Sequence, residues 1–367
     1  MPKQILRYTL AILISAVALW FAFRGTNWKE LEMAIGTANL WWILLGAAMQ
    51  FASHLLRAWR WQLFLIPVKS NTSLWNSFKA IIAGYGMNNL IPRAGEVVRP
   101  VMFARREKIP IPATIATIVI ERLSDLFGMV VFGIASLYLF QPQLERAFPE
   151  FMDNTNALFG TITILLVLCV AIFISETRTA ALIRMIVKPL PKRFKQKVHN
   201  AGHAFADGLK GIKSRAFTSF VVGTIGIWLL YAVSMYVSFF AFKDQSIREA
   251  GFVAAILLQF LSGVAFIIPT PGGTGSYHLI ISQALTAIFM VSDSTALAFA
   301  TLTHGANYIS TTLMGLGFML SEGVSVAKLR EEVEKQRTSA TSESSEPDPA
   351  PSEPAVLEKT RVEVTQR

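Results

Sequence analysis

The sequence predicts an all-α, polytopic integral membrane helix bundle that crosses a bilayer about eight times, with re-entrant broken helices and with its N- and C-termini cytoplasmic. Three observations carry this expectation. Of 367 residues, 53% are hydrophobic and only 16% charged, with a mean hydropathy of +0.46. That is too little polar surface for a soluble protein of this length. The apolar residues gather in runs close to the roughly 20 residues that a helix needs to cross the hydrocarbon core. The formal net charge of +10 falls in short clusters between those runs. Such a distribution orients a membrane protein and gives no reason to expect a nucleic-acid partner.

Taken in order, the first run is Ile5–Phe23, behind Lys3 and Arg7. Trp20–Arg24 is bulky where a signal-peptide cleavage site needs small residues, so this run is expected to stay as the first span. The further spans are expected at Leu40–Leu56, Ala113–Phe140, Ala157–Ser175, Phe217–Phe242, Gly251–Ile268, Tyr277–Val291 and Thr295–Leu320. Tyr277–Val291 is short and relies on its flanking Gly-rich turn. Leu74–Ile91 is apolar but interrupted by Lys79, Gly84, Gly86, Asn88 and Asn89.

Loop charge threads the runs. The loop 176–216 is strongly basic, which places it in the cytoplasm, and the acidic or neutral stretches 141–156, 24–39 and 243–250 fall on the outer side. Arg57, Arg60 and Lys69 precede Leu74–Ile91, and Arg93, Arg99, Arg105, Arg106 and Lys108 follow it. Both its ends therefore face the cytoplasm, and the segment 74–92 is expected to be re-entrant. The membrane domain occupies 1–325. The tail 326–367 is rich in Ser, Thr, Glu and Pro and is expected to be disordered. Cys169 is the only cysteine, so no internal disulfide or Cys-based metal site is possible; no metal or cofactor is expected.

Chemistry concentrates where the apolar pattern breaks. The stretch Gly84–Arg99 holds glycines, Pro92, two asparagines and three charges. Irregular backbone of this kind survives at membrane depth only if buried in protein or lining a wet cavity. The second break, 268–276, carries Pro269 and Pro271 with Gly272, Gly273 and Gly275. The prolines remove helix hydrogen bonds and the glycines permit unusual backbone conformations. In both breaks an apolar run ends in Ile-Pro before a small-residue turn, and the two lie in opposite halves of the chain, a pairing that points to a transporter-like central site. A third feature is Glu121-Arg122-Leu-Ser-Asp125, whose two carboxylates share a helix face. Ionisable groups inside a span are costly and usually functional; the alternative is that they pair with each other or with Arg93 and Arg99 simply to hold helices together. His278 and His304 read as packed helix histidines. Arg57 and Arg60 read as residues that orient the chain and meet lipid head groups.

These residues carry a resemblance. Asn88-Asn-Leu-Ile-Pro-Arg-Ala-Gly-Glu-Val-Val-Arg99, Glu121-Arg-Leu-Ser-Asp125 and Ile268-Pro-Thr-Pro-Gly-Gly-Thr-Gly275 resemble the signatures of the flippase-like transmembrane family, which includes the membrane region of lysylphosphatidylglycerol synthases. The similarity runs from about Tyr8 to Leu320. It implies a multi-pass protein of the cell (inner or cytoplasmic) membrane that moves a lipid or lipid-linked molecule between leaflets. The motif positions are Asn89, Pro92, Arg93, Gly95, Glu96, Arg99, Glu121, Arg122, Asp125, Pro271, Gly272, Gly273 and Gly275. Members often carry a Glu after the Gly-rich turn, where this chain has Tyr277-His278. The synthases continue into a large soluble aminoacyl-transfer domain, so aminoacyl transfer by this chain alone is not expected.

The expected partners are a membrane phospholipid or lipid-linked substrate, with anionic head groups at the cytoplasmic face. Arg93 and Arg99 are candidates to hold a phosphate, since guanidinium pairs with oxyanions. Asn88 and Asn89 would hydrogen-bond the head group. Glu96, Glu121 and Asp125 would hold the arginines or meet a cationic part of the substrate, with Arg122 and His278 completing the set. Pro92, Gly95, Pro269, Pro271, Gly272, Gly273 and Gly275 would act as structural and hinge residues. Two other readings stay open: a membrane-embedded enzyme acting on a phospholipid or lipid-linked sugar, and a non-transporting scaffold.

Overall fold

The computed structural model describes residues 2–147, 160, 163–164 and 215–323, and every regular element among them is helical. The expected span Ala157–Ser175 beyond residues 160, 163 and 164, Cys169, the basic loop up to residue 214 and the tail 326–367 lie outside the described residues. In chain order the helices are α1 (Pro2–Phe23), α2 (Trp28–Gly36), α3 (Leu40–Leu65), α4 (Leu74–Leu90), α5 (Gly95–Glu107), α6 (Ile111–Leu139) and α7 (Gln141–Ala147). They continue as α8 (Arg215–Phe239), α9 (Gln245–Glu249), α10 (Gly251–Ile267), α11 (Ser276–Phe289) and α12 (Asp293–Ser321), with a 3-10 turn at Pro271–Gly273.

Length and apolarity together qualify Thr218–Phe239 as a span by itself. They also qualify Tyr8–Phe23 and Trp28–Gly36 as a pair bent by 93°. In α3 and α12 the apolar pattern is diluted by His54, Arg57 and Arg60, and by a series of Ser, Thr, His and Asn.

Capping explains several boundaries. Asn27, Asn39, Ser73, Asp244 and Ser292 each accept a backbone N–H of the first turn they precede, which satisfies otherwise orphaned donors. Pro110 leads into α6 and Pro112 sits in its first turn, where a missing N–H costs nothing.

Side-chain contacts give the directions. α3 and α8 run antiparallel along their length: Gly46 faces Ser234 and Ser238, Gly226 faces Leu56, and Gly223 faces Trp59 and Arg60. α4 and α12 are also antiparallel, with Trp75 against Phe318 near one end and Asn89 against Tyr308 and Thr312 at the other. One face of the bundle therefore gathers the 66–73 and 108–110 turns with the end of α12. The opposite face gathers 24–39, 240–250 and 290–292, tied together by Asn39 N–H to the Ala241 carbonyl (2.8 Å) and Ser294 Oγ to Glu30 (3.1 Å).

Two hairpins enter from these opposite faces. α4 and α5 form the first. Glu107 at its open end binds Ser73 and Asn76, and Asn88 Oδ1 accepts the Gly95 N–H at its tip. The expected interruption at Gly84 and Gly86 is not there: α4 is unbroken to Leu90, the turn lies at 91–94, and the return limb is α5. Gly84 serves close packing instead. A Cβ on Gly95 would run into the Gly84 carbonyl, so the limbs touch backbone to backbone only because neither residue has a side chain.

α10 and α11 form the second hairpin. The sequence expects them as the spans Gly251–Ile268 and Tyr277–Val291; in the structure their 17 and 14 residues rise about 26 and 21 Å. Pro269 and Pro271 end α10, and Gly275, at φ +90°, turns the chain into α11. The tip rests against α1: a Cβ on Gly275 would lie 2.5 Å from the Ser15 carbonyl.

The element lengths repeat. α3, the first hairpin and α6 measure 26, 17, 13 and 29 residues. α8, the second hairpin and α12 measure 25, 17, 14 and 29. Because α3 and α8 are antiparallel, the second set is inverted relative to the first. The two tips meet at the middle of α12: Asn89 Nδ2 binds the Tyr308 carbonyl (3.2 Å) and Thr312 Oγ1 (2.9 Å), and Gly272 packs on Asn89 and Tyr308.

Candidate functional site

The first hairpin, α3, α6 and α8 converge on a buried ion network. Arg57 of α3 donates to Glu121 (3.1 Å) and Asp125 of α6 and to Tyr231 Oη of α8 (2.9 Å). Arg60, one turn on, donates to Asp125 (2.6 Å) and Thr224 Oγ1 (3.1 Å). Arg99 of α5 pairs with the second oxygen of Glu121 and lies 4.1 Å over the Trp61 ring. Glu121 and Arg60 are wholly buried, and Arg57 and Arg99 are 5% and 3% exposed. Burying such groups is tolerable only because each carboxylate oxygen meets a guanidinium.

This corrects the reading of Arg57 and Arg60 as head-group contacts. They lie on the same face of α3 as His54, turned into the protein, and their partners are carboxylates. The signal was present: three ionisable residues at i, i+3 and i+6 on an otherwise apolar helix share a face. Loop-charge reasoning assigned them to orientation instead. Tyr231 and Thr224 gave no signal of their own, since they sit as ordinary polar residues on an apolar helix.

Beside the network is a small cleft between the first hairpin and α6, lined by Tyr85, Asn88, Glu96, Arg99 and Arg122 with Ile81, Gly84, Gly95, Pro100 and Ile118. Arg122 and Glu96 form its lip, 3.6 Å apart with side chains 41% and 50% exposed. The Arg122 guanidinium lies 5.9 Å from the Tyr85 ring centre. Nε and Nη1 of Arg99 are buried and make no hydrogen bond among the described residues. Four guanidiniums, Arg57, Arg60, Arg99 and Arg122, thus face three carboxylates, Glu96, Glu121 and Asp125. The surplus positive charge and the spare donors sit at the cleft.

The structure divides the other candidates. Asn88 lines the cleft, but its carbonyl oxygen is occupied by the Gly95 N–H (2.7 Å). Asn89 turns away to tie α4 to α12. Arg93 is exposed, in a left-handed conformation (φ 66°) at the turn, and is not among the cleft residues. Pro92 lies in that turn. His278 belongs to the second hairpin: its Nδ1 accepts the Gly275 N–H (3.4 Å), and its ring is 4.8 Å from that of His304. It does not join the arginine cluster.

The open end of the first hairpin is fixed by charge. Glu107 receives Lys69 Nζ (2.7 Å), Asn76 Nδ2 (2.7 Å) and the Ser73 N–H (3.1 Å). Burial alone would raise its carboxyl, but these donors outweigh burial and hold it below the usual carboxylate range. Glu322, just past α12, pairs with Lys79 of α4 and Arg106 of α5. It too is held low by those two partners against the opposing effect of burial.

Comparison with known proteins finds membrane-protein relatives. The chain is 21% identical over 337 residues to a UPF0104 membrane protein of Methanocaldococcus jannaschii, covering 87% of this chain and 96% of that protein. It is 22% identical to a UPF0104 membrane protein of Pyrococcus horikoshii, covering 85% and 95%. It is also 24% identical to the glycosyltransferase AglD of Haloferax volcanii across 90% of this chain, spanning only 57% of that longer relative. The family model described as the lysylphosphatidylglycerol synthase TM region matches residues 8–315. The chain is a membrane protein and belongs to the lysylphosphatidylglycerol synthase transmembrane-region family.

Proposed function

We propose that this protein moves the polar head group of a phosphate-bearing lipid or lipid-linked molecule between the leaflets of the cell membrane. The observation that carries the reading is the cleft beside Arg99. There, unused guanidinium donors and a surplus positive charge lie next to an ion network buried deep in the bundle. A charged head group crossing hydrocarbon unaided loses its water, and fixed donors at depth replace part of that hydration. Arg99 and Arg122 would hold the phosphate. Glu96, at the lip, would meet a hydroxyl or cationic part. Glu121 and Asp125 hold the arginines in place rather than touching the head group.

The topology supports this reading. We read α1, α3, α6, α8 and α12 as crossings, with the expected crossing at Ala157–Ser175 as a sixth. The two hairpins are re-entrant from opposite sides. Six crossings keep both termini on one side, and the Lys69, Arg106 and Lys108 face is the cytoplasmic one. Inverted repeats with broken elements meeting at mid-depth are a recurrent transporter plan.

The test uses the full-length protein in phosphatidylcholine and phosphatidylglycerol vesicles carrying an acyl-labelled fluorescent lipid and a membrane-impermeant quencher. The protein should speed loss of inner-leaflet protection. Arg122→Gln, which disturbs only the lip, should slow it about tenfold to a hundredfold, the loss expected for a charge-assisted hydrogen bond. No acceleration with anionic, zwitterionic or sugar-phosphate lipids overturns the reading. The likeness to a glycosyltransferase favours a second reading, a membrane-embedded role in chemistry on a lipid-linked sugar. A changed lipid mass after incubation would support it.

A further inference from the structure

The tip of the second hairpin holds a feature that head-group binding does not use. His278 and His304 are 6% and 8% exposed, with ring centres 4.8 Å apart. His304 Nε2 lies 2.9 Å from the Gly272 carbonyl, which can only accept, so Nε2 carries the hydrogen. His278 is the opposite case: its Nδ1 lone pair accepts the Gly275 N–H. A proton arriving at His278 Nδ1 turns that acceptor into a donor facing another donor, and the bond cannot survive. The neighbouring ring bars a second charge, since two imidazolium groups at this distance repel. The pair therefore takes one proton, and on His278 that proton breaks a contact which shapes the tip.

Among the described residues no counter-ion contacts either ring. The titratable groups facing the rings are Tyr277, 5.2 Å from His304, and Tyr308, 5.6 Å from it. α1 presents Phe23 to His278 and binds the tip through Ser15 at the Thr274 carbonyl, and α10, which has no ionisable residue, meets Ser276 through Ala265 and Tyr277 through Phe266. The charged residues of the helices that meet the rings stand apart. Arg24, just past α1, lies over Trp20, and Asp293 begins α12. Neither ring contacts a carboxylate among the described residues. The same tip packs through Gly272 on Asn89 and Tyr308, the point where it meets the first hairpin.

We propose that His278, packed against His304, is a proton-binding site, and that a proton on His278 releases the tip of the α10–α11 hairpin from its closed arrangement. Resting on the translocation reading, proton uptake there couples to head-group passage along the first hairpin. The proton comes from water on the face to which the tip opens. Nothing else is consumed.

Hydrogen–deuterium exchange of the full-length protein in lipid nanodiscs tests the release without any transport readout. After correction for intrinsic rates, tip amides at 270–278 should exchange about tenfold faster at pH 5.5 than at pH 7.5, as expected for an imidazole that titrates near 6.5 only once the tip is open. His278→Asn, whose Oδ1 keeps an acceptor for Gly275 but takes no proton, should abolish that response. His304→Gln, which keeps the donor to Gly272, should retain it. A pH-independent wild type overturns the proposal, as does a response that survives His278→Asn or disappears only in His304→Gln. The vesicle assay at both pH values then tests the coupling. A pH-dependent tip with no lipid movement removes the translocase reading and leaves the proton site standing. Lipid movement equally fast at both pH values overturns the coupling.

Discussion

The two hairpins reach the middle of the bundle from opposite faces with nearly equal limbs, 17 and 13 residues against 17 and 14, and are held by different chemistry. The first is fixed along its length by ions: Glu107 and Glu322 at its open end and Arg99 to Glu121 at depth. The second is held by neutral contacts. Ser15 Oγ donates to the Thr274 carbonyl (2.7 Å), Thr270 and Ser276 share a hydrogen bond (2.9 Å), and Tyr277 Oη meets Thr303 Oγ1 (3.1 Å). Removing one partner of a buried ion pair strands the other, whereas a neutral bond between groups with alternative partners is lost cheaply. The ionic hairpin is therefore suited to hold a fixed charged site. The neutral one is suited to move.

The largest test of this contrast is Glu121→Gln. It leaves Arg57 and Arg99 without their shared carboxylate and should cost about 3–5 kcal/mol of stability, measured by denaturant titration in detergent. A cost near zero would mean that water, not Glu121, supports the arginines, and the contrast would collapse. The matching cut in the second hairpin is Tyr277→Phe. Thr303 keeps its bond to the Phe299 carbonyl (2.7 Å), so the loss should be only about 0.5–1.5 kcal/mol. A cost equal to that of Glu121→Gln would show the two hairpins to be equally fixed.

Glu322→Gln should have the smallest effect, about 2 °C in the unfolding midpoint at neutral pH, because its Arg106 partner is exposed. Its sign with pH is fixed. The folded carboxyl is held below the unfolded value, so the clamp contributes fully above the unfolded value and is lost as pH falls through the folded one. Wild type and variant should therefore converge on acidification. A gap that widens in acid would contradict the assignment.

How much was legible follows from range. Helix content, the two Pro-Gly breaks and the Glu121–Asp125 face depend on residues within a few positions of one another, and local patterns show them directly. The ending of α10 at Pro269 and the turn at Gly275 belong to the same class. Arg57 and Arg60 were misassigned because a basic residue near a helix end looks alike whether it faces head groups or a carboxylate 64 to 68 positions away. Gly84 was read as an interruption for a similar reason. A glycine within a helix is equally consistent with a break and with close packing, and the backbone of Gly95 decided for packing.

By itself the sequence determined that this chain is a helical membrane protein, where its apolar runs break and which residues carry charge inside them. Those properties are set by local composition and by the cost of placing polar groups in hydrocarbon. Only the tertiary structure decided that α10 and α11 form a hairpin, that the two hairpins are inverted copies whose tips meet on α12, and that Arg99 faces a cleft while Arg93 does not. Those outcomes depend on which side chains find each other across tens to hundreds of residues, a pairing that packing settles and that no window of sequence contains.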